Sequence, residues 1–271
     1  MYLGMPKADT YVVGALSTAL KRPETYVGHL REALNLARAA VSYPKGIFES
    51  SITPGSPCDD GLHDTPVVLV HGYGHNRSAW LVLERHLRKA GFTSVHTVNY
   101  NPLAHDVPEL AARLKGRIDL IRALTGSPKV HVVGHSLGGV ILRWYVQELG
   151  GDSVVDTAVS VASPHQGTIA AVAGAAFGRT AKQLLPGSEI MRALGPSVAR
   201  GSVRWVAYYS NIDLLIQPSP SAKLHGATNV LVKDRGHLSM LLSPVVARSI
   251  TTQLEAAEGA GAVVKPLHHA A

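Results

Sequence analysis

A serine framed by glycines is the feature of this sequence best suited to chemistry. Residues 130–139 read Val-His-Val-Val-Gly-His-Ser-Leu-Gly-Gly, and Gly134, Ser136 and Gly138 fit the pattern G-x-S-x-G. In that pattern the serine sits on a sharp turn between a strand and a helix, and its hydroxyl projects from the edge of the sheet. Glycines flank it because a Cβ at either position would collide with the neighbouring strand or helix. A mostly apolar run precedes the motif and Val140–Leu149 follows it with helical spacing, so Ser136 is the candidate nucleophile.

A serine hydroxyl is a poor nucleophile at neutral pH and needs a base within hydrogen-bond reach. In this kind of site an acid and then a histidine follow the serine along the chain, each after a strand. Asp213 is the acid in the loop after the predicted strand Val203–Tyr209, and His237 follows the last predicted strand. The sequence therefore predicts that Asp213 orients the imidazole of His237, which carries the proton.

Other histidines and acids compete for these roles. The chain has 14 histidines, so most of them must be structural or solvated. His135 is adjacent to the serine but is predicted to point away from it, and His71 is predicted to hydrogen-bond with the backbone of the next loop. Asp234, three residues before the candidate histidine, remains the alternative acid, whereas Asp156 begins a strand at the opposite end of the sheet.

Two backbone N–H groups are needed to stabilise an oxyanion. One is predicted to come from Leu137, directly after the serine, where the start of a helix adds partial positive charge. The other is predicted to come from the loop His71-Gly72-Tyr73-Gly74 after the first strand. There the amide of Tyr73 would face the substrate carbonyl.

Strands and helices alternate from residue 66 onward. Short apolar strands separated by helices predict a parallel sheet covered on both faces, and six strands are expected because no hairpin precedes the first. The predicted strands are Val67–His71, Val95–Asn99, Val130–Gly134, Thr157–Ala162, Val203–Tyr209 and Asn229–Val232. The predicted helices between and after them are Ser78–Ala90, Val107–Leu124, Leu137–Leu149 and Pro244–Ala257.

Two segments fall outside this alternation. Residues 1–60 are predicted to be a helical extension and linker packed on a catalytic domain formed by residues 61–271. Apolar residues recur at helical spacing between Pro23 and Ser42, and Ser51–Pro66 is rich in Pro, Gly, Asp and Ser. Residues 167–201 lack a strand pattern but have helical spacing around Thr180–Leu194, which makes them the candidate cap or lid. The apolar positions of the N-terminal helix are Tyr26, Val27, Leu30, Leu34, Ala37, Ala40 and Val41.

Composition narrows the class of protein. The 271 residues are 46% hydrophobic and 17% charged, which is typical of a globular chain with a sizeable core. The formal net charge of +7 favours loose contact with anionic surfaces such as phospholipid headgroups. The sequence has no Lys/Arg-rich run of the kind that would predict nucleic-acid binding. It also has no apolar stretch of the roughly 18 residues that a transmembrane helix needs.

The ends and the single cysteine give little sign of compartment. Cys58 is the only cysteine, so no intrachain disulfide is expected. Met1–Leu20 lacks a positive segment followed by a compact apolar run, so no signal peptide is predicted.

Taken together, these motifs resemble those of the α/β-hydrolase lipases. The segments that carry the resemblance are Val-His-Gly-Tyr-Gly, Gly-His-Ser-Leu-Gly-Gly, Ser-Pro-His-Gln-Gly-Thr and Gly-His-Leu-Ser, within about Pro66 to Ile250. The chain looks most similar to the small bacterial lipases of the Bacillus lipase A type. The resemblance implies an α/β-hydrolase fold with a minimal, about six-stranded parallel sheet flanked by helices, here with an N-terminal helical extension. It also implies hydrolysis of carboxylic esters, including acylglycerols, with no cofactor, and an extracellular location. The implied residues are a triad of Ser136, Asp213 and His237 and oxyanion-hole amides of Tyr73 and Leu137.

The chain also departs from that family's pattern. Gly134 stands where the smallest members have alanine, and residues 1–60 and 167–201 have no counterpart in them. Interfacial behaviour is therefore not carried over, and no calcium site is expected. Acyl transfer, thioester or amide cleavage and polyester hydrolysis on the same triad stay open, as does a non-catalytic binding module.

Overall fold

Six short strands form one parallel sheet in the computed structural model, which describes residues 23–47, 65–176, 178–198 and 201–259. The strand order is β2-β1-β3-β4-β5-β6, which confirms the predicted six-stranded parallel sheet. The strands are β1 Val67–Val70, β2 Val95–Val98, β3 Val130–His135, β4 Val155–Val161, β5 Arg204–Ser210 and β6 Thr228–Val232.

Helices cover both faces of the sheet, which explains why the central strands are apolar on both sides. Helices α3 and α4 pack on one face and α2 and α8 on the other, so the core is divided into two layers. The helices are α1 Pro23–Ser42, α2 Leu81–Lys89, α3 Val107–Thr125, α4 Leu137–Glu148, α5 Arg179–Gln183, α6 Glu189–Leu194, α7 His237–Leu241 and α8 Pro244–Ala257.

Two predicted helices are divided in the structure. The predicted helix Ser78–Ala90 begins as a 3₁₀ turn, Arg77–Trp80, before α2. The helical spacing around Thr180–Leu194 is split into α5 and α6. Pro186 and Gly187 lie between these helices, and Gly187 adopts a φ of +71°. Proline lacks the N–H that a continuous helix requires, so the periodicity spans two short helices.

The order of the strands creates a crevice at their carboxyl ends. The chain passes from β1 outward to β2, and then returns to form β3 on the other side of β1. The loops after β1 and β3 therefore leave the sheet in opposite directions, and such a divergence is where ligands bind in open α/β sheets. Gly72–Gly74 and Ser136 follow these two strands.

The N-terminal helix α1 is present, but its apolar stripe is not the surface that packs on the sheet domain. Tyr26, Leu34 and Val41 are more than half exposed. The packed face instead contains Gly28, where an added Cβ would lie 2.4 Å from Ile212 Cδ1. Apolar periodicity located this helix but did not identify the face that makes contact.

Several predictions fall on parts of the chain outside the described residues. These are the linker as far as residue 64, Cys58, and the first 22 residues. Among the described residues, no helix is both long enough and apolar enough to cross a membrane.

Candidate active site

Ser136 occupies a strained turn between β3 and α4. Its φ of +52° and ψ of −121° lie in a region that non-glycine residues rarely adopt. Such backbone strain costs about 1–3 kcal/mol and persists only where the surroundings impose it. A Cβ at Gly134 would lie 2.6 Å from the backbone of Gly138, and one at Gly138 would lie 2.1 Å from the carbonyl oxygen of Val70. The structure therefore places a serine on the close-packed turn that the motif predicts.

Gly138→Ala is expected to lower the free energy of unfolding by about 3 kcal/mol, because the new methyl group would meet a backbone atom that has little room to shift. Gly116→Ala, in the middle of α3, is the matched control. A Cβ there meets nothing within 4 Å, so that variant is expected to gain about 0.5–1 kcal/mol. Urea unfolding followed by circular dichroism measures both. Equal urea midpoints for Gly138→Ala and the wild type would contradict the close packing of α4 against β1.

Asp213 and His237 form a buried pair at the carboxyl ends of β5 and β6. His237 Nδ1 lies 2.8 Å from Asp213 Oδ2. The other carboxylate oxygen, Oδ1, accepts hydrogen bonds from the amides of Leu215 at 2.8 Å and Ile216 at 3.0 Å. Because both oxygens are engaged, the carboxylate is fixed relative to the imidazole, with Nε2 as the ring nitrogen left for chemistry.

The surroundings favour the protonated form of His237. Burial opposes the charge, but the charge of Asp213, its hydrogen bond and the charge of Glu32 together raise the pKa of His237 above its ordinary value. A ring in this environment can hold a proton taken from a nucleophile. The arrangement therefore fits a general base that is stabilised when it becomes a cation.

The alternative residues have other contacts. Asp234 exchanges hydrogen bonds with Asn211, through its amide at 2.9 Å and its carboxylate at 3.3 Å. Asp156 accepts from the hydroxyl of Thr157 at the start of β4. Burial, together with the nearby charge of His237, holds the pKa of His135 well below its ordinary value. A neutral His135 ring lies with its centroid 4.6 Å from that of His237, so it packs beside the imidazole of His237.

The loop after β1 passes directly over the serine. A Cβ at Gly72 would lie 2.9 Å from Cβ of Ser136. Nδ1 of His71 donates to the carbonyl of Gly72 at 2.8 Å, which is the backbone hydrogen bond predicted for it. Burial lowers the pKa of His71 to about 4, so the ring stays neutral and holds that carbonyl in place. Tyr73 follows immediately and lines the cavity beside the serine.

A cavity of about 340 Å³ opens at this point, and both Ser136 and His237 line it. Leu137, the first residue of α4, follows the serine, and the first amides of a helix have no acceptor within it. The walls of the cavity combine residues from the loop after β1, the segment 167–201, the loop after β5 and helix α1. The apolar lining residues are Leu36, Pro164, Ala170, Ala171, Ala181, Leu184, Leu215, Ile216 and Leu238.

Two residues near the site were not identified as important from the sequence. Arg143 on α4 is fully buried, and its guanidinium donates to the carbonyls of His165, Leu194 and Gly195 at 2.8–3.0 Å. It thereby ties the segment 167–201 to the helix that follows the serine. A lone charge inside the apolar run 140–146 was the available signal. Glu32 on α1 reaches the helix that begins at His237, and no local pattern marked it.

No group of three or more His, Cys, Asp or Glu side chains within the described ranges is arranged to hold a metal ion. Ser136 and His237 line the cavity, and the carboxylate of Asp213 accepts a hydrogen bond from the imidazole of His237. That set suits acyl transfer through a serine ester.

Comparison with known proteins finds a lipase family model and solved structures of lipases that are similar to this chain. Residues 64–193 match the family model described as Lipase (class 2). Aspergillus fumigatus lipase B is 22% identical over 68% of this chain, with a TM-score of 0.57, and this chain covers 51% of its length. Bacillus licheniformis lipase BlEst2, in its mature form, is 18% identical over 75% of this chain and 99% of its own, with a TM-score of 0.62.

A third solved structure, described as a membrane phospholipase A and a bacterial virulence factor, is 15% identical with a TM-score of 0.54. It covers 93% of this chain and 100% of its own. At these identities the structures establish the fold, and the family match adds support for a hydrolase that acts on esters. The chain thus has the α/β-hydrolase fold of the lipases and esterases, and its residues 64–193 match the class 2 lipases.

Proposed function

We propose that this protein is a serine carboxylic-ester hydrolase that acts on acyl esters or acylglycerols, with Ser136, Asp213 and His237 as its triad. The observation that carries the proposal is the buried Asp213–His237 pair, 2.8 Å apart, beside the same cavity as a serine on a strained turn. A fixed imidazole–carboxylate pair next to a projecting serine is the arrangement that activates a hydroxyl nucleophile. No cofactor is required for this chemistry.

The reaction proceeds through an acyl-enzyme. Nε2 of His237 takes the proton from Ser136 Oγ as that oxygen bonds to the ester carbonyl carbon, and the carbonyl oxygen becomes an oxyanion. The amides of Tyr73 and Leu137 stabilise that charge. The tetrahedral intermediate collapses with cleavage of the bond to the alcohol oxygen, which leaves with the proton from His237. Water then attacks the acyl-enzyme in the same way and releases the carboxylic acid and free Ser136.

The rim of the cavity supports transient contact with a lipid surface. Four apolar side chains from three segments around it are each more than half exposed: Leu36, Val172, Leu214 and Leu215. Exposed apolar groups beside a binding cavity are typical of surfaces that meet apolar partners. The segment 167–201 forms one wall of the cavity and is proposed to serve as its cap.

A series of p-nitrophenyl esters from acetyl to palmitoyl, each presented in solution and as an emulsion, tests this function. Release of p-nitrophenol with an equal amount of free carboxylic acid is expected, and the longer esters are expected to be hydrolysed faster when emulsified. Added short-chain alcohol separates hydrolysis from acyl transfer, because a transferase would give mainly the new ester. Failure to turn over any ester of the series would overturn the proposal.

A further inference from the structure

Helix α1 contacts the segment that carries the candidate histidine through one carboxylate. Glu32 Oε1 accepts from the amide of Leu238 at 2.7 Å, and Oε2 accepts from the amide of Ser239 at 2.8 Å. These are the first amides of α7 after His237, and they have no acceptor within their own short helix. Glu32 is thus a side-chain cap supplied from more than 200 residues away in the sequence.

The surroundings of Glu32 fix it in this position. Asn35, one turn later on α1, donates from Nδ2 to Oγ of Ser239 at 2.9 Å, and Asn35 is buried. One turn earlier, Gly28 allows α1 to approach Ile212, in the loop that leads to Asp213. A Cβ on Gly236 would lie 2.5 Å from the carboxylate carbon of Glu32, so the backbone before His237 lies directly against this group.

We propose that Glu32 is a positioning residue for His237: its carboxylate holds the start of α7, and so the imidazole, in place, and its charge stabilises the protonated ring. This inference rests on the proposed function and deepens it, because it makes the N-terminal helix a part of the catalytic apparatus. The charge of Glu32 is one of the influences that raise the pKa of His237.

The groups that face His237 come from four elements. Asp213 approaches from the loop after β5 and Glu32 from α1. His135 approaches from β3 and His75 from the loop after β1, and burial together with the nearby charge of His237 lowers the pKa of both rings. Removal of Glu32 leaves Asp213 as the one negative group of this set. The ring of His237 must be neutral to act as a base, so kcat/KM falls at acidic pH. The midpoint of this fall, the acid limb of the pH profile of kcat/KM, reports the pKa of His237 in the free enzyme.

Glu32→Ala and Glu32→Gln in the full chain test the proposal. Glu32→Ala is expected to lower kcat about tenfold with little change in KM, because the ring loses its orientation and the bound substrate does not. Both variants are expected to move the acid limb of kcat/KM to lower pH by about half a unit, as expected when a partly solvated charge is removed. Glu32→Gln keeps the side-chain volume and one amide acceptor, so its kcat should fall by only about threefold.

A purely structural role would lower the amount of active protein without moving the pH limb. Labelling with a fluorophosphonate counts the active sites, and kcat is expressed per labelled site. Glu148→Ala is the matched control, since Glu148 is exposed at the end of α4, and it should leave both kcat and the limb unchanged. An unmoved limb in Glu32→Gln would overturn the proposal, even if Glu32→Ala does not fold. Retained ester turnover in Ser136→Ala would instead overturn the proposed function.

Discussion

Ser136→Ala is expected to abolish ester turnover, with kcat lowered roughly 10⁴- to 10⁶-fold. The alanine removes the only atom that forms the covalent intermediate in the proposed mechanism. The pair formed by Asp213 and His237 remains but has no nucleophile to activate. Initial rates with p-nitrophenyl butyrate, measured at enzyme concentrations high enough to resolve the residual rate, give the size of the loss.

Folding and labelling separate loss of chemistry from loss of structure. The alanine should retain the wild-type circular dichroism spectrum and unfolding midpoint, since Ser136 contributes one small hydroxyl at the edge of a cavity. Fluorophosphonate should add its mass to the wild type at the peptide that contains Ser136 and should leave Ser136→Ala unmodified. Ser202→Ala, at an exposed serine before β5, is the control and should keep full activity. Turnover by folded Ser136→Ala would exclude this serine as the nucleophile.

The sheet could be predicted from the sequence because each strand is a short apolar run between helical segments. Strand ends were less certain, since pairing with a neighbour determines where a strand begins. Strand β4 starts at Val155, two residues before the predicted start, where Val155 pairs with Val130 of β3. Strand β5 ends at Ser210, one residue beyond the prediction, where it pairs with Val232.

The candidate residues of the site could be proposed because their chemistry is tied to strand ends. Each of Ser136, Asp213 and His237 follows a strand, and parallel strands bring their carboxyl ends to one edge. The contributions of Glu32 and Arg143 could not be predicted in the same way. Glu32 acts on amides more than 200 residues away, and Arg143 binds carbonyls about 50 residues further along the chain, at the end of α6. Such long-range polar contacts depend on the tertiary arrangement, which local periodicity does not encode.

Asp213→Asn is expected to lower kcat roughly 10³- to 10⁴-fold, through the tautomer of His237. Oδ1 of Asp213 accepts two amides, from Leu215 and Ile216, so the oxygen of an asparagine is held at that position. Its NH₂ group must then face Nδ1 of His237, where Oδ2 now lies at 2.8 Å. An NH₂ group donates, so Nδ1 becomes the acceptor and the proton moves to Nε2. A ring protonated at Nε2 has no lone pair with which to take the proton of Ser136.

The same reasoning predicts a pattern that simple loss of stability would not give. In Asp213→Asn the carboxylate charge is lost and the pKa of His237 falls. The acid limb of kcat/KM should therefore move to lower pH, while the plateau value of kcat/KM above that limb stays low. Asp234→Asn is the matched control, because that residue exchanges its hydrogen bonds with Asn211; it should keep nearly wild-type kcat. A large loss in Asp234→Asn with little loss in Asp213→Asn would assign the acid to Asp234 instead. Because the two acids lie on different loops, this pair of variants decides which one orients the histidine.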